Sequence, residues 1–186
     1  MKVMKFGGTS LNSAENILRV KNIVESQSES IVLVVSAFGG ITDQLIQASH
    51  LAAKGDNSYE DLYRTFADHH RQIALHLPLS NEKENDLLEQ LNLLLAELED
   101  IFKGVFLIND LSNRTLDKIV SYGERLSLII SSFVFSDFSV LDATKLVKTD
   151  ASFDKHTPDI NLSAKLIKEA YKQTQKNALV AGFISS

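Results

Sequence analysis

The segment Lys5-Phe6-Gly7-Gly8-Thr9-Ser10, directly behind the short apolar start Met1-Lys2-Val3-Met4, constrains this chain more than any other. It reads as a β-strand ending near Phe6, a glycine turn, and then a helix. Two adjacent glycines let the backbone turn without Cβ clashes and come close to a ligand. Asn12 followed by Glu15 has the capping-box spacing, and Ile17, Val20 and Val24 form the apolar stripe of the helix it would open. Such a turn leaves a nest of backbone N–H groups that favours anions, and Lys5 adds a mobile positive charge at its rim. Spacing alone supports two readings, a phosphate cradle and a plain tight turn. The chain holds neither GxxxxGK(S/T) nor GxGxxG, so this is neither a Walker A loop nor a dinucleotide fingerprint.

Two further segments bear on the choice. Ile31-Val32-Leu33-Val34-Val35 is a continuous apolar run, the pattern of a parallel strand buried on both faces. It leads into Ser36-Ala37-Phe38-Gly39-Gly40-Ile41-Thr42-Asp43, a second small-residue turn before a helix. In open α/β sheets ligands sit outside the carboxyl ends of strands, so two such turns at adjacent strand ends would face one crevice. The third segment, Val120-Ser121-Tyr122-Gly123-Glu124-Arg125-Leu126-Ser127, lies inside a helical pattern set by Leu116, Ile119, Val120, Leu126, Ile130 and Phe133. A glycine inside a helix costs roughly 1 kcal/mol relative to alanine, so a packed helix or a ligand must approach closely there.

Together the three segments resemble the aspartokinases, members of the amino-acid kinase superfamily. The opening Lys-Phe-Gly-Gly-Thr-Ser is present letter for letter. The pattern Val-x-Ser-Ala-x-x-Gly-x-Thr followed by Asp or Asn fits Val34 to Asp43, and Gly-Glu-x-x-Ser fits Gly123 to Ser127. The long helical stretch between the second and third segments is most similar to the kinase part of bifunctional aspartokinase–homoserine dehydrogenases, with a single-function aspartokinase as the close alternative. The resemblance implies a three-layer α/β sandwich with a mainly parallel sheet and an inserted helical hairpin. It implies transfer of the γ-phosphoryl of ATP to the side-chain carboxylate of L-aspartate, with Mg2+ arriving on the nucleotide, and NADP only if a dehydrogenase follows. Lys5 would stabilise the transferring group. Gly7, Gly8, Thr9 and Ser10 would contact phosphate, and Ser36, Thr42 and Glu124 the substrate, with Glu124 meeting its ammonium. Arg125 and Asp43 read as structural. Ser10 and Thr42 also read as simple helix caps.

The resemblance covers the whole chain but not the whole family pattern. Residues 1–186 are expected to be the N-terminal, substrate-side part of a catalytic domain. The family's Gly-Arg-Gly-Gly-Ser-Asp segment, its nucleotide-base pocket and its regulatory domains would follow the Ala181-to-Ser186 strand. Such a piece is expected to be inactive alone, and the full-length protein is expected to be a homo-oligomer.

Composition narrows the remaining classes. A chain of 186 residues with 44% hydrophobic and 23% charged residues is long enough for one domain with its own core. A net charge of −5 argues against a nucleic-acid face, which would be basic. There is no cysteine, hence no disulfide framework. No signal peptide and no stretch of roughly 20 apolar residues is seen, so cytoplasmic residence is the default expectation.

Along the chain, strands are expected at 2–6, 31–36, 139–142 and 177–184, and helices at 13–26, 41–54, 113–135 and 161–176. A helical hairpin is expected over about 58–103. Its first arm carries Tyr59, Leu62, Phe66, Ile73 and Leu77. Its second carries the seam Leu87, Leu91, Leu94, Leu98 and Ile101. That seam runs for about two and a half heptads, too short for a free coiled coil. His50, His69, His70, His76 and His156 show no metal-ligand spacing, and His69-His70 lie far in sequence from the three segments. Thr149-Asp150 carries no assigned role. Two other classes remain open on the sequence: a non-catalytic binding or regulatory module on the same fold, and another amino-acid kinase such as a glutamate 5-kinase or acetylglutamate kinase.

Overall fold

The apolar run after Ser30 forms an inner strand of a four-stranded parallel sheet, in a computed structural model that describes residues 1–149, 157–174 and 177–182. The strands are β1 (Lys2–Phe6), β2 (Ile31–Val35), β3 (Ser139–Leu141) and β4 (Ala178–Ala181), in the order β1-β2-β4-β3. The helices are α1 (Ala14–Glu25), α2 (Ile41–Ala53), α3 (Tyr59–Leu75), α4 (Asn81–Ile108), α5 (Asn113–Val134), α6 (Ala143–Leu146) and α7 (Ile160–Lys172). Phe6 pairs with Val35, and Val35 with Ala181, so β1, β2 and β4 end level with one another. This α/β architecture is the expected fold class. Asp150, Phe153, His156 and residues 183–186, which include the expected end of the last strand, lie outside the described residues. No helix among the described residues is long and apolar enough to cross a membrane.

Burial along β2 alternates. Ile31, Leu33 and Val35 are buried, whereas Val32 and Val34 are half-buried and Val3 beside them on β1 is 61% exposed. The period of two arises because one core gathers on a single face. Ile17, Val20 and Val24 of α1 and Leu126 and Ile130 of α5 join Ile31, Leu33 and Val35 there. A fully buried Leu or Ile contributes about 1.5–3 kcal/mol, so this layer dominates the local energetics.

Polar caps set the helix starts. Ser112 accepts from Thr115 N–H at 3.1 Å to open α5, and Asp159 accepts from Leu162 N–H at 2.9 Å to open α7. At α1 the cap differs from the capping box expected at Asn12 and Glu15. Ser13 is the extended cap residue and accepts from Asn16 N–H at 3.2 Å. A shift of one residue frees Asn12 for a long-range contact. Ser10 and Thr42 do not cap either. Ser10 ends a 3-10 turn over Gly8–Ser10, and α2 begins behind Gly40, whose φ of 78° suits glycine.

The hairpin of α3 and α4 extends past the expected 103 to Ile108. Tyr59 packs against Phe102 and Phe106 with ring centroids 5.9 and 5.4 Å apart, and Tyr63 donates its hydroxyl to Leu95 O at 2.9 Å. Leu87, Leu91, Leu94 and Leu98 are buried as the seam requires, and Ile101 is half-buried.

Gly123 decides where α5 sits. A Cβ placed on it would lie 2.9 Å from Ala37 Cβ and 3.1 Å from Ile41 Cγ2. The close neighbour that the sequence demanded is therefore the turn between β2 and α2. Gly123→Ala gains up to about 1 kcal/mol of helix propensity, but overpacking of this kind costs about 1–3 kcal/mol. We expect a lowered thermal midpoint, partly restored by adding Ala37→Gly; calorimetry on the two variants checks it.

Candidate functional site

Both small-residue turns sit at the carboxyl end of the sheet and touch. A Cβ on Gly8 would meet Ala37 O at 2.7 Å and Gly39 N at 2.8 Å. The close approach that Gly8 permits is thus to the second turn's backbone. Neither Gly7 nor Gly8 has a positive φ, so the turn itself does not require glycine conformations. Gly7 has nothing within 4 Å of its Cβ direction, so among the described residues no packing demand explains its lack of a side chain. The 3-10 turn uses the N–H groups of Ser10 and Leu11, which donate to Gly7 O at 3.0 Å and Gly8 O at 3.1 Å. A further bond, Asn16 Nδ2 to Thr9 O at 3.2 Å, ties the turn to α1.

The third segment arrives from α5. Ser127 Oγ donates to Ser36 O at 2.7 Å, which fixes the helix to the end of β2. One turn earlier, Glu124 is carried in with only 3% of its surface exposed. Burial pushes its carboxyl group above the ordinary range; backbone N–H groups, including that of Ala37, and the Lys5 ammonium pull the other way. The Lys5 ammonium is thus within electrostatic range of the Glu124 carboxylate. Glu124 Oε2 is buried without a hydrogen-bond partner. A buried carboxylate oxygen left unpaired is costly, of the order of several kcal/mol for an isolated charge, and it marks a place where a donor is wanted.

The remaining expected residues surround this pair. Lys5, Gly7, Thr9 and Ser10 are exposed, and Gly8, Ser36 and Thr42 are half-buried. Thr42 is the second residue of α2, and Asp43 lies in the first turn of that helix. Arg125 turns away toward α4, where its guanidinium stands 4.4 Å over the Tyr122 ring and 3.4 Å from Glu97. No group of three or more His, Asp or Glu converges among the described residues. Thr149 pairs with Pro158 in an isolated antiparallel bridge.

Sequence reasoning passed over His69 and His70. Both lie against Phe38 of the second turn, His69 edge-on at 6.2 Å and His70 stacked at 5.1 Å. His70 is fully buried, and desolvation lowers its pKa to about 4. The stripe Phe66–Ile73 on α3 contained the signal. Positions 69 and 70 fall on the same helical face as those two apolar residues.

The pattern of the amino acid kinase family matches residues 1–186. The chain belongs to the amino acid kinase family. Among curated members it is 29% identical to a chloroplastic bifunctional aspartokinase/homoserine dehydrogenase of Daucus carota, over 99% of this chain and 21% of that protein. It is likewise 29% identical to an aspartokinase of Chlamydia pneumoniae, over 99% of this chain and 39% of that one. The fold superposes on aspartokinase III of E. coli in complex with aspartate and ADP with a TM-score of 0.85 at 24% identity, covering 99% of this chain and 41% of that chain. The chain thus spans between about a fifth and two fifths of the proteins it matches.

In this kinase-family domain Glu124 is a stability cost. An unfolded glutamate titrates at 4.5 and the folded one higher, so the folded state resists losing its proton. Stability from this group is present below the unfolded value and is lost as pH rises through the folded one. Glu124→Gln should therefore raise the ligand-free melting temperature at pH 7, and the gain should vanish below about pH 4. Thermal melts of both proteins across pH check this.

Proposed function

We propose that this chain supplies the substrate side of an ATP-dependent aspartate kinase, which transfers the γ-phosphoryl group to the side-chain carboxylate of L-aspartate and yields 4-phospho-L-aspartate. The observation that carries the reading is a buried carboxylate, Glu124, with an unpartnered oxygen, within the electrostatic reach of the cation at the glycine turn. An α-ammonium group brings three N–H donors and a positive charge, and it satisfies what Glu124 lacks.

The chemistry asks little of the protein beyond position and charge. The nucleophile is already a carboxylate, so no general base is needed. Lys5 stabilises negative charge spreading over the transferring oxygens. The N–H groups of Gly7 and Gly8, with the hydroxyls of Thr9 and Ser10, contact the phosphates, and the open space over Gly7 lets them approach the main chain. Ser36 and Thr42 donate to the substrate carboxylates. Magnesium enters with the nucleotide, and NADP belongs only to a fused dehydrogenase, as the name of the Daucus carota relative suggests. The nucleotide-base pocket, oligomer contacts and cytoplasmic residence belong to the intact protein under the same reading. So does the step's place at the start of lysine, threonine and methionine formation.

The test is an assay of the intact protein for ATP- and aspartate-dependent acyl phosphate, trapped with hydroxylamine. Lys5→Ala should lower turnover by at least about a hundredfold, since a lost electrostatic contact of this kind costs roughly 3–4 kcal/mol. Folding should persist, because Lys5 is exposed. Glu124→Gln should raise the KM for aspartate about tenfold or more, for a charge-assisted bond worth about 1.5–3 kcal/mol, and leave that for ATP nearly unchanged. Unchanged turnover in the first variant, or equal KM rises in the second, overturns the assignment.

A further inference from the structure

The helical hairpin touches both glycine turns through one side chain. His69 Nε2 donates to Asn12 Oδ1 at 3.3 Å, a contact across 57 residues. Asn12 lies between the Gly8–Ser10 turn and α1, freed for this bond because Ser13 takes the cap. Its amide group also stands 3.6 Å from the Cβ position of Gly39 in the second turn. The His69 ring also packs nearly perpendicular to that of Phe38, itself buried. His70 plays a different part. Its Nδ1 bonds Phe66 O at 2.8 Å within its own helix, and its ring fills the core beneath Phe38.

We propose that His69 is a positioning residue for phosphoryl transfer, a brace on the hairpin that holds the Gly7–Ser10 turn and the Ser36–Gly40 turn in register with each other. The catalytic part of this role rests on the kinase reading above; the brace itself does not. Three observations support it. The two turns meet at van der Waals limits at Gly8, so a small displacement of one is transmitted to the other. Burial lowers the pKa of His69, which leaves a neutral ring at physiological pH with a single N–H, the one given to Asn12. Glu124 rides on α5, which Ser127 ties to Ser36 O at the start of the second turn. A misplacement of about 1 Å in a phosphoryl-transfer site can cost a hundredfold in rate, so a brace of this kind acts on turnover before it acts on substrate affinity.

The experiment compares His69→Ala, His69→Gln, His69→Asn, Asn12→Ala and the Ala/Ala double variant in the intact protein. In His69→Ala, kcat should fall at least about tenfold, with a smaller change in the KM for aspartate. His69→Gln should recover most of the loss, because its terminal amide nitrogen occupies the place of Nε2. His69→Asn, which is shorter, should not. The double variant should be no slower than the slower single variant, as expected for two partners of one bond. Equal rates for the Gln and Asn variants, additive losses, or a loss confined to the KM for aspartate overturn the proposal. Amide hydrogen exchange supplies a readout that needs no activity. Exchange at Ser10 and Leu11 should quicken in His69→Ala while the middle of α1 is unchanged, and unaltered exchange at those two residues overturns the brace. If the wild-type protein forms no acyl phosphate, the kinase reading has failed, and the exchange comparison still decides the role of His69 in the fold.

Discussion

Everything that gathers at the carboxyl end of the sheet depends on how closely α5 can approach the β2–α2 turn. Two residues set that distance. Gly123 removes a Cβ that would collide with Ala37, and Ser127 bonds the last carbonyl before the turn. Glu124 lies between them in sequence and has no freedom to be elsewhere. A side chain in place of Gly123 would tilt or lift the helix, and the carboxylate would leave the neighbourhood of Lys5. The same logic holds at Gly8, where absence of a side chain lets one backbone turn rest on another. The site is thus specified by two places where the chain carries nothing.

The buried polar inventory shows what this arrangement costs. Gln44 Oε1, His70 Nε2, Glu124 Oε2 and Ser131 Oγ are enclosed without partners among the described residues. Natural cores keep few such atoms, because each forfeits the hydration it had in the unfolded chain. His70 avoids the larger penalty by staying neutral. Glu124 has no comparable escape that keeps its charge, so its burial near the cation-bearing turn costs stability.

Much of this was legible in the sequence, for identifiable reasons. Apolar runs and 3.6-residue patterns gave β1, β2, α1, α2 and α5 to within a residue, since burial selects the apolar face directly, whereas α4 runs on to Ile108 and α7 stops at Lys172, short of the expected 176. The glycine at 123 announced a close neighbour because a helix interior tolerates glycine only for cause. What the chain concealed were choices between near-equivalent local partners. Asn12 and Ser13 are both competent caps; Ser13 takes the cap and Asn12 bonds His69 instead. His69 and His70 were hidden because their partners are 57 residues away in one case and within the same helix in the other. The both-sided burial expected for β2 also failed on one face, for burial there depends on what packs across the sheet and not on the strand's own residues.

The strand order carries a kinetic consequence. Contacts between successive helices, α2 on α3, α3 on α4 and α4 on α5, can settle quickly, whereas the middle of the sheet cannot. β2 pairs on one side with β4, and Ile31 N–H reaches Asn177 Oδ1 across 146 residues. Parallel pairing over such a separation forms late, because loop closure must precede any gain from the contact. During synthesis both glycine turns are made before β4, and the strand that carries the second of them keeps a bare, apolar edge until β4 arrives and Gly182 N–H bonds Val35 O at 2.7 Å. For that interval the nascent chain exposes an edge that other strands can join, and the segment made before β4 needs protection until its partner arrives.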